Sequence, residues 1–223
     1  MHRQHEYLRD LISEAVRSAV DTVVRTHYPR LTQEHQLTSR IAQSIEQTLG
    51  NSHFLGHRVR IIVQELPDKG PGTLEKKIGA DLYVAVKFDS SGSDIAKGFF
   101  VQAKWDAPLS KVERETLDEQ CENLVWRSKT GSFVWLYSQD GAKVIAADEV
   151  LAHPTQQPGD LTHHDVKALM SNVFDCTSGD RKLVMDGIFD NAEQLGLMLR
   201  EYGARKGIAI AIEAERIGRR RRG

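Results

Sequence analysis

The sequence predicts a single α/β domain, a mixed β-sheet flanked by helices, and three observations predict it. The first fifty residues carry apolar positions at helical spacing, the next stretch changes to short β-branched runs, and a second helical pattern then separates two pairs of strand-like segments. The chain has 223 residues with 40% hydrophobic content, which is enough for one large core.

The elements follow in order. From Tyr7 to about Arg25, Leu8, Leu11, Ile12, Ala15, Val16, Ala19, Val20, Val23 and Val24 recur every three or four residues, a wide apolar stripe suited to burial within the chain or to helix pairing between copies. Thr32 is a plausible cap for a second helix ending at Leu49, with Leu37, Ile41 and Ile45 on one face and Gly50 just beyond. "GHRVRIIVQEL" predicts a strand stopped at Pro67, and "PDKGPG" a turn. "GADLYVAVKFDSSGSDIAKGFFVQAKW", Gly79 to Trp105, predicts two strands around a polar turn. Ser110 and Glu113 have capping-box spacing ahead of a helix with Leu117, Cys121, Leu124 and Val125 on one face, stopped by Gly131. "SFVWLYS" predicts a strand covered on both sides, and "AKVIAA" its hairpin partner. Beyond Asp148 the pattern weakens, leaving a helix near Leu195 and a short strand in "IAIAIEAE". The division expected is a helical part over 1–50, a core over 54–147 and a C-terminal α/β extension over 148–223, without repeats or a break that would separate domains.

Thirty basic against thirty-one acidic residues give a net charge of −1, so a nucleic-acid surface would have to be local. Cys121 and Cys176 make no disulfide framework, and no run of about 18 apolar residues or signal core is present. A cytoplasmic protein without a membrane span is expected. His153, His163, His164 and Cys176 match no zinc spacing, and no phosphate loop or nucleophile elbow occurs. Trp105, Trp126 and Trp135 are expected to fill the core, and the "RRRR" tail to be a solvated end.

The hairpin carries the chemistry. If its strands pair about Gly92 and Ser93, opposed residue numbers sum to about 185, which sets Asp81 opposite Lys104 and Tyr83 opposite Gln102, with opposed Cβ atoms roughly 5 Å apart. Asp81, Gln102 and Lys104 then share one face, while Leu82, Val84, Val86, Phe88, Phe99, Val101 and Ala103 form the core face. A carboxylate, an amide or carbonyl oxygen and an amine suit a hard cation and a phosphate.

"GAD" opening one strand and "QAK" closing the next, within helix, hairpin, helix and strand, resembles the core of the PD-(D/E)XK nuclease superfamily, the restriction-endonuclease-like fold, over roughly Thr32 to Ala147. Its "QxK" form is similar to branches near Mrr-type restriction enzymes. The resemblance implies a Mg2+-dependent DNA endonuclease, with Mn2+ able to substitute. Asp81 and Gln102 would be metal ligands together with the Ala103 carbonyl, and Lys104 the catalytic lysine. Gln102 stands where the family more often has Glu, so the alternative is a degenerate binding or sensor subunit of a defence complex. The helix before the first strand often adds an acid, for which Glu46 is the candidate, with Glu75 an alternative. Gln120 is a candidate polar residue facing the site. A bacterial defence or genome-maintenance setting, a homo-oligomer supplying two sites for a double-strand cut, and an activating ligand or partner complete the expectation.

Overall fold

The computed structural model describes residues 2–31, 33–66, 80–89 and 94–215. Helices α1 (His2–His27) and α2 (Glu34–Leu49) lead into strands β1 (His53–Phe54), β2 (His57–Glu65), β3 (Leu82–Asp89) and β4 (Ile95–Trp105). Next come α3 (Lys111–Arg127), β5 (Ser132–Ser138), β6 (Gly141–Ala146) and α4 (Ala147–Ala152). The chain closes with β7 (His164–Asp165), α5 (Val166–Phe174), α6 (Ala192–Tyr202) and β8 (Lys206–Ala214). All eight strands form one mixed sheet in the order β1-β2-β8-β3-β4-β5-β6-β7. Its edge strands have two residues each, too short to template pairing with another chain.

Two helical layers cover the sheet. One is α1, α2 and α5, whose Leu8, Ile12, Val16, Leu37, Ile41, Leu169 and Val173 pack on Leu82, Val84, Val86, Phe88, Phe99, Val101 and Ala103. The core face expected for the hairpin is therefore the observed one. The α1 stripe is spent inside the chain, at about 1.5–3 kcal/mol for each large side chain buried. Of the two uses open to it, burial within the chain is the one observed, and this stripe is not left over as an oligomer contact. On the other side α6 covers Tyr83, Ala85, Phe100, Ala209 and Ala211, while α3 and α4 cover Val134, Leu136 and Ile145. "SFVWLYS" is apolar throughout because both its faces are buried.

Local signals hold well. The Ser110 capping box forms, with its hydroxyl accepting from Glu113 N–H and the Glu113 carboxylate accepting from Ser110 N–H at 2.8 Å. The helix it opens ends at Arg127, short of Gly131. Ser138 pairs with Gly141 across a two-residue turn, and Gly141 takes the positive φ of 124° that favours glycine. The Thr32 cap, the "PDKGPG" turn and the "RRRR" tail lie outside the described residues.

Several expectations change. The hairpin register is Leu82↔Val101, so opposed numbers sum to 183 and Asp81 N–H donates to Val101 O. Alternation fixes a face but leaves the register open by steps of two, so the face survives and the partner moves. Trp126 is 85% exposed, because it lies about 200° round the helix from the inward Leu124, whereas Trp135 is buried and Trp105 packs on Tyr28 and Tyr137. The residues assigned to a C-terminal extension supply β8, which lies between β2 and β3, antiparallel to the first and parallel to the second. Among the described residues, no helix is long and apolar enough to cross a membrane.

Candidate active site

The polar residues of the hairpin meet at one end of the sheet, where β4 runs on past the start of β3. Asp81 is the last residue before β3, and its Oδ2 accepts from the Ala103 N–H at 2.9 Å and from Gln102 Nε2 at 2.5 Å. Within an extended residue N–H and C=O point the same way, so the Ala103 carbonyl also faces Asp81. Gln102 is 3% exposed, and its Oε1 is buried without a hydrogen-bond partner. Such an orphaned acceptor costs about 1–3 kcal/mol unless a cation or donor joins it. Asp81 is only partly exposed, and desolvation pushes its carboxyl pKa up. The Ala103 N–H and the charges of Arg205, Lys104 and Lys206 pull the other way without prevailing.

Lys104, on the same face two residues along, makes no hydrogen bond or ion pair with a described residue. Its charge acts on Asp81, on Glu113 in the first turn of α3 and on Cys121 of the same helix. Gln120 of α3 follows the same pattern as Gln102. It is partly buried beside Leu117 and Cys121, and its Oε1 also lacks a partner. Cys121 is a free cysteine whose thiol is pushed up to about 12 by burial, so it takes no part in acid–base chemistry near neutrality.

No family model, curated protein or solved structure matches this chain. The site therefore rests on its own geometry. Asp81, Gln102, Ala103 and Lys104 are gathered at one sheet end, no contact joins Gln120 to them among the described residues, and Glu46 is not among them. It is exposed on the C-terminal half of α2, about 18 Å along the axis from Glu34, and it is the N-terminal end of that helix that meets the site. There Thr38 Oγ1 lies 3.2 Å from the Tyr137 hydroxyl. Burial raises the Tyr137 pKa, the Thr38 hydroxyl opposes the shift, and the charges of Asp81 and Glu34 add to it. Glu75 lies outside the described residues.

Four contributors escape a reading by motif: Glu34, Tyr137, Arg205 and Lys206. Glu34 is the first-turn acid of α2, which helix electrostatics alone would explain. Tyr137 resembles any other member of an apolar strand. Lys206 is 2% exposed, donates to the His35 carbonyl at 2.8 Å and pairs with Glu65 at 3.3 Å, tying the first turn of α2 to the sheet end. Arg205 and Lys206 could be placed only by knowing that β8 inserts beside β3.

Proposed function

We propose that this chain is a Mg2+-dependent endonuclease that hydrolyses DNA phosphodiester bonds, with a site built like that of the PD-(D/E)XK superfamily and a role in bacterial defence or genome maintenance. The observation that carries the reading is the Asp81 carboxylate held against Gln102 and Ala103, with the Lys104 ammonium, unpaired among the described residues, on the same face. Asp81 and the Ala103 carbonyl supply oxygen donors for a hard cation; Gln102 turns its Nε2 to both of them, at 2.5 Å and 3.3 Å, so its partnerless Oε1 completes the set once the amide turns over about its last bond. Mn2+ would serve in the same place. Among the described residues no three acidic, histidine or cysteine side chains converge, which favours a single ion over a pair.

Bound there, the ion supplies Lewis acidity to the scissile phosphate and to the attacking water. Lys104 orients that water or offsets charge developing on the phosphate. Two copies would be needed to cut both strands together.

The test is cleavage of plasmid, linear and single-stranded DNA with Mg2+ or Mn2+. Asp81→Ala and Lys104→Ala should each lose activity by about 10²-fold or more while remaining folded. Full activity in either variant would remove the assignment.

One observation favours a second reading, a binding or sensor subunit without turnover: the Gln102 amide gives Asp81 Oδ2 a hydrogen-bond donor from within the chain. Gln102→Glu separates the two. A nuclease keeps or gains metal-dependent cleavage with the added carboxylate, whereas a binding subunit stays inert.

A further inference from the structure

Three cations act on Asp81: Arg205, Lys104 and Lys206. The fold consumes one of them, since the Lys206 ammonium is buried against the His35 carbonyl and Glu65. The other two have no hydrogen-bond or ion-pair partner for their side chains among the described residues. Arg205 immediately precedes β8, and its backbone is fixed on both sides, its N–H donating to Ala80 O at 3.2 Å and its carbonyl accepting from Leu66 N at 3.0 Å. The parallel register Tyr83↔Gly207, carried back two residues, sets Arg205 in the row of Asp81. Its guanidinium, by contrast, makes no hydrogen bond, ion pair or ring contact with a described residue, although its charge acts on Asp81 more strongly than that of Lys104 does. Asp81 Oδ2 accepts two N–H groups, and no ion pair joins its carboxylate to the guanidinium.

We propose that Arg205 binds a phosphate of the nucleic-acid strand lying across the candidate site, gripping nonbridging oxygens from the β8 side while Lys104 approaches from the β4 side. This rests on reading the site as one for nucleic acid. Two cations without a hydrogen-bond or ion-pair partner among the described residues flank one carboxylate in a chain whose overall charge is −1, and a cation at Asp81 would add to the positive charge there. A guanidinium presents forked N–H donors that match two phosphate oxygens, whereas an ammonium acts as a point charge. The C-terminal strand thereby contributes to ligand binding as well as to the sheet.

The test is binding of a fluorescein-labelled 20-base-pair duplex to the full chain across a KCl series, with Ca2+ in place of Mg2+ to hold back cleavage. Each phosphate contact adds about one unit to the slope of log affinity against log salt, which amounts to about tenfold in affinity at 0.1 M relative to 1 M. Arg205→Gln should lower the slope by about one and the affinity at 0.1 M by about tenfold, with an unchanged Tm. Arg205→Lys should keep the slope and recover part of the affinity. Arg58→Gln, at the opposite end of β2, is the control for bulk charge and should leave the slope alone.

An unchanged slope in Arg205→Gln, or an equal loss in Arg58→Gln, overturns the role of Arg205 and leaves the nucleic-acid reading standing. A wild-type chain that binds neither duplex nor single strand removes both.

Discussion

Asp81 is where folding and function pull in opposite directions. Burial favours its neutral form, so its pKa is raised in the folded chain although three cations and the Ala103 N–H oppose the shift. A carboxyl with a raised folded pKa costs stability when it is ionised. The cost is felt at neutral pH and disappears as pH falls through the folded value toward the ordinary one. Asp81→Asn keeps an oxygen for the Ala103 N–H and removes the charge. In EDTA at pH 7.5 it should melt above wild type, because the variant has no buried charge to desolvate. The gap should close as pH approaches about 4. Millimolar Mg2+ should raise the Tm of wild type only. An Asn variant that melts lower at pH 7.5 would contradict the burial argument. This much of the site was legible, because Asp81, Gln102 and Lys104 stand out as polar intrusions in strands whose alternation fixes their face. Glu46 was misplaced for a physical reason: helical periodicity reports which face of α2 is inward and carries no information on which end meets the sheet edge.

At the scale of elements, α3 is anchored from its first turn. Arg114 is buried, and its guanidinium donates to the carbonyls of Val150, His153 and Gln156 as well as to Asp118, so it caps the C-terminal end of α4 and the turn after it. The Val150 and His153 carbonyls also accept the N–H groups of His153 and Gln156, at 3.3 Å and 3.1 Å, so the guanidinium supplements a weak C-terminal cap on a helix of six residues. Arg114→Ala should cost about 3 kcal/mol in urea unfolding, and Arg114→Lys should recover little of it, since one ammonium cannot span three carbonyls. A loss below about 1 kcal/mol would show that water replaces the clamp. Elements with their own punctuation were legible, as the Ser110 capping box and the turn at Gly141 show. Helix α5 was equally marked, with Asp165 accepting from Ala168 N–H and Val166, Leu169, Met170 and Val173 at helical spacing, yet the polar loop before it obscured it. Arg114 itself gave no signal, since a lone arginine in a charged helix usually points to water.

Across the whole molecule, the decisive feature is the insertion of β8 between β2 and β3, which periodicity cannot reveal because a strand's pattern does not name its neighbours. The run "IAIAIEA" nevertheless explains why this strand can be central. Ile208, Ile210 and Ile212 enter the core under α1, α2 and α5, while the small Ala209 and Ala211 admit α6 on the other face. Pairing His57 with Ala214 closes a loop of more than 150 residues, so this junction carries the largest closure entropy in the sheet, whereas β3–β4 and β5–β6 join near neighbours. The local hairpins should therefore form first and β8 dock late. Ile210→Ala should cost about 2–5 kcal/mol by opening a cavity in the larger core, and most of that loss should appear as faster unfolding. Val144→Ala, in the β5–β6 hairpin, should instead slow refolding by a larger share of its destabilisation. Stopped-flow refolding and unfolding in urea would measure both variants. If Ile210→Ala slows refolding in full proportion to its lost stability, β8 belongs to the folding nucleus and the order argued from topology is reversed.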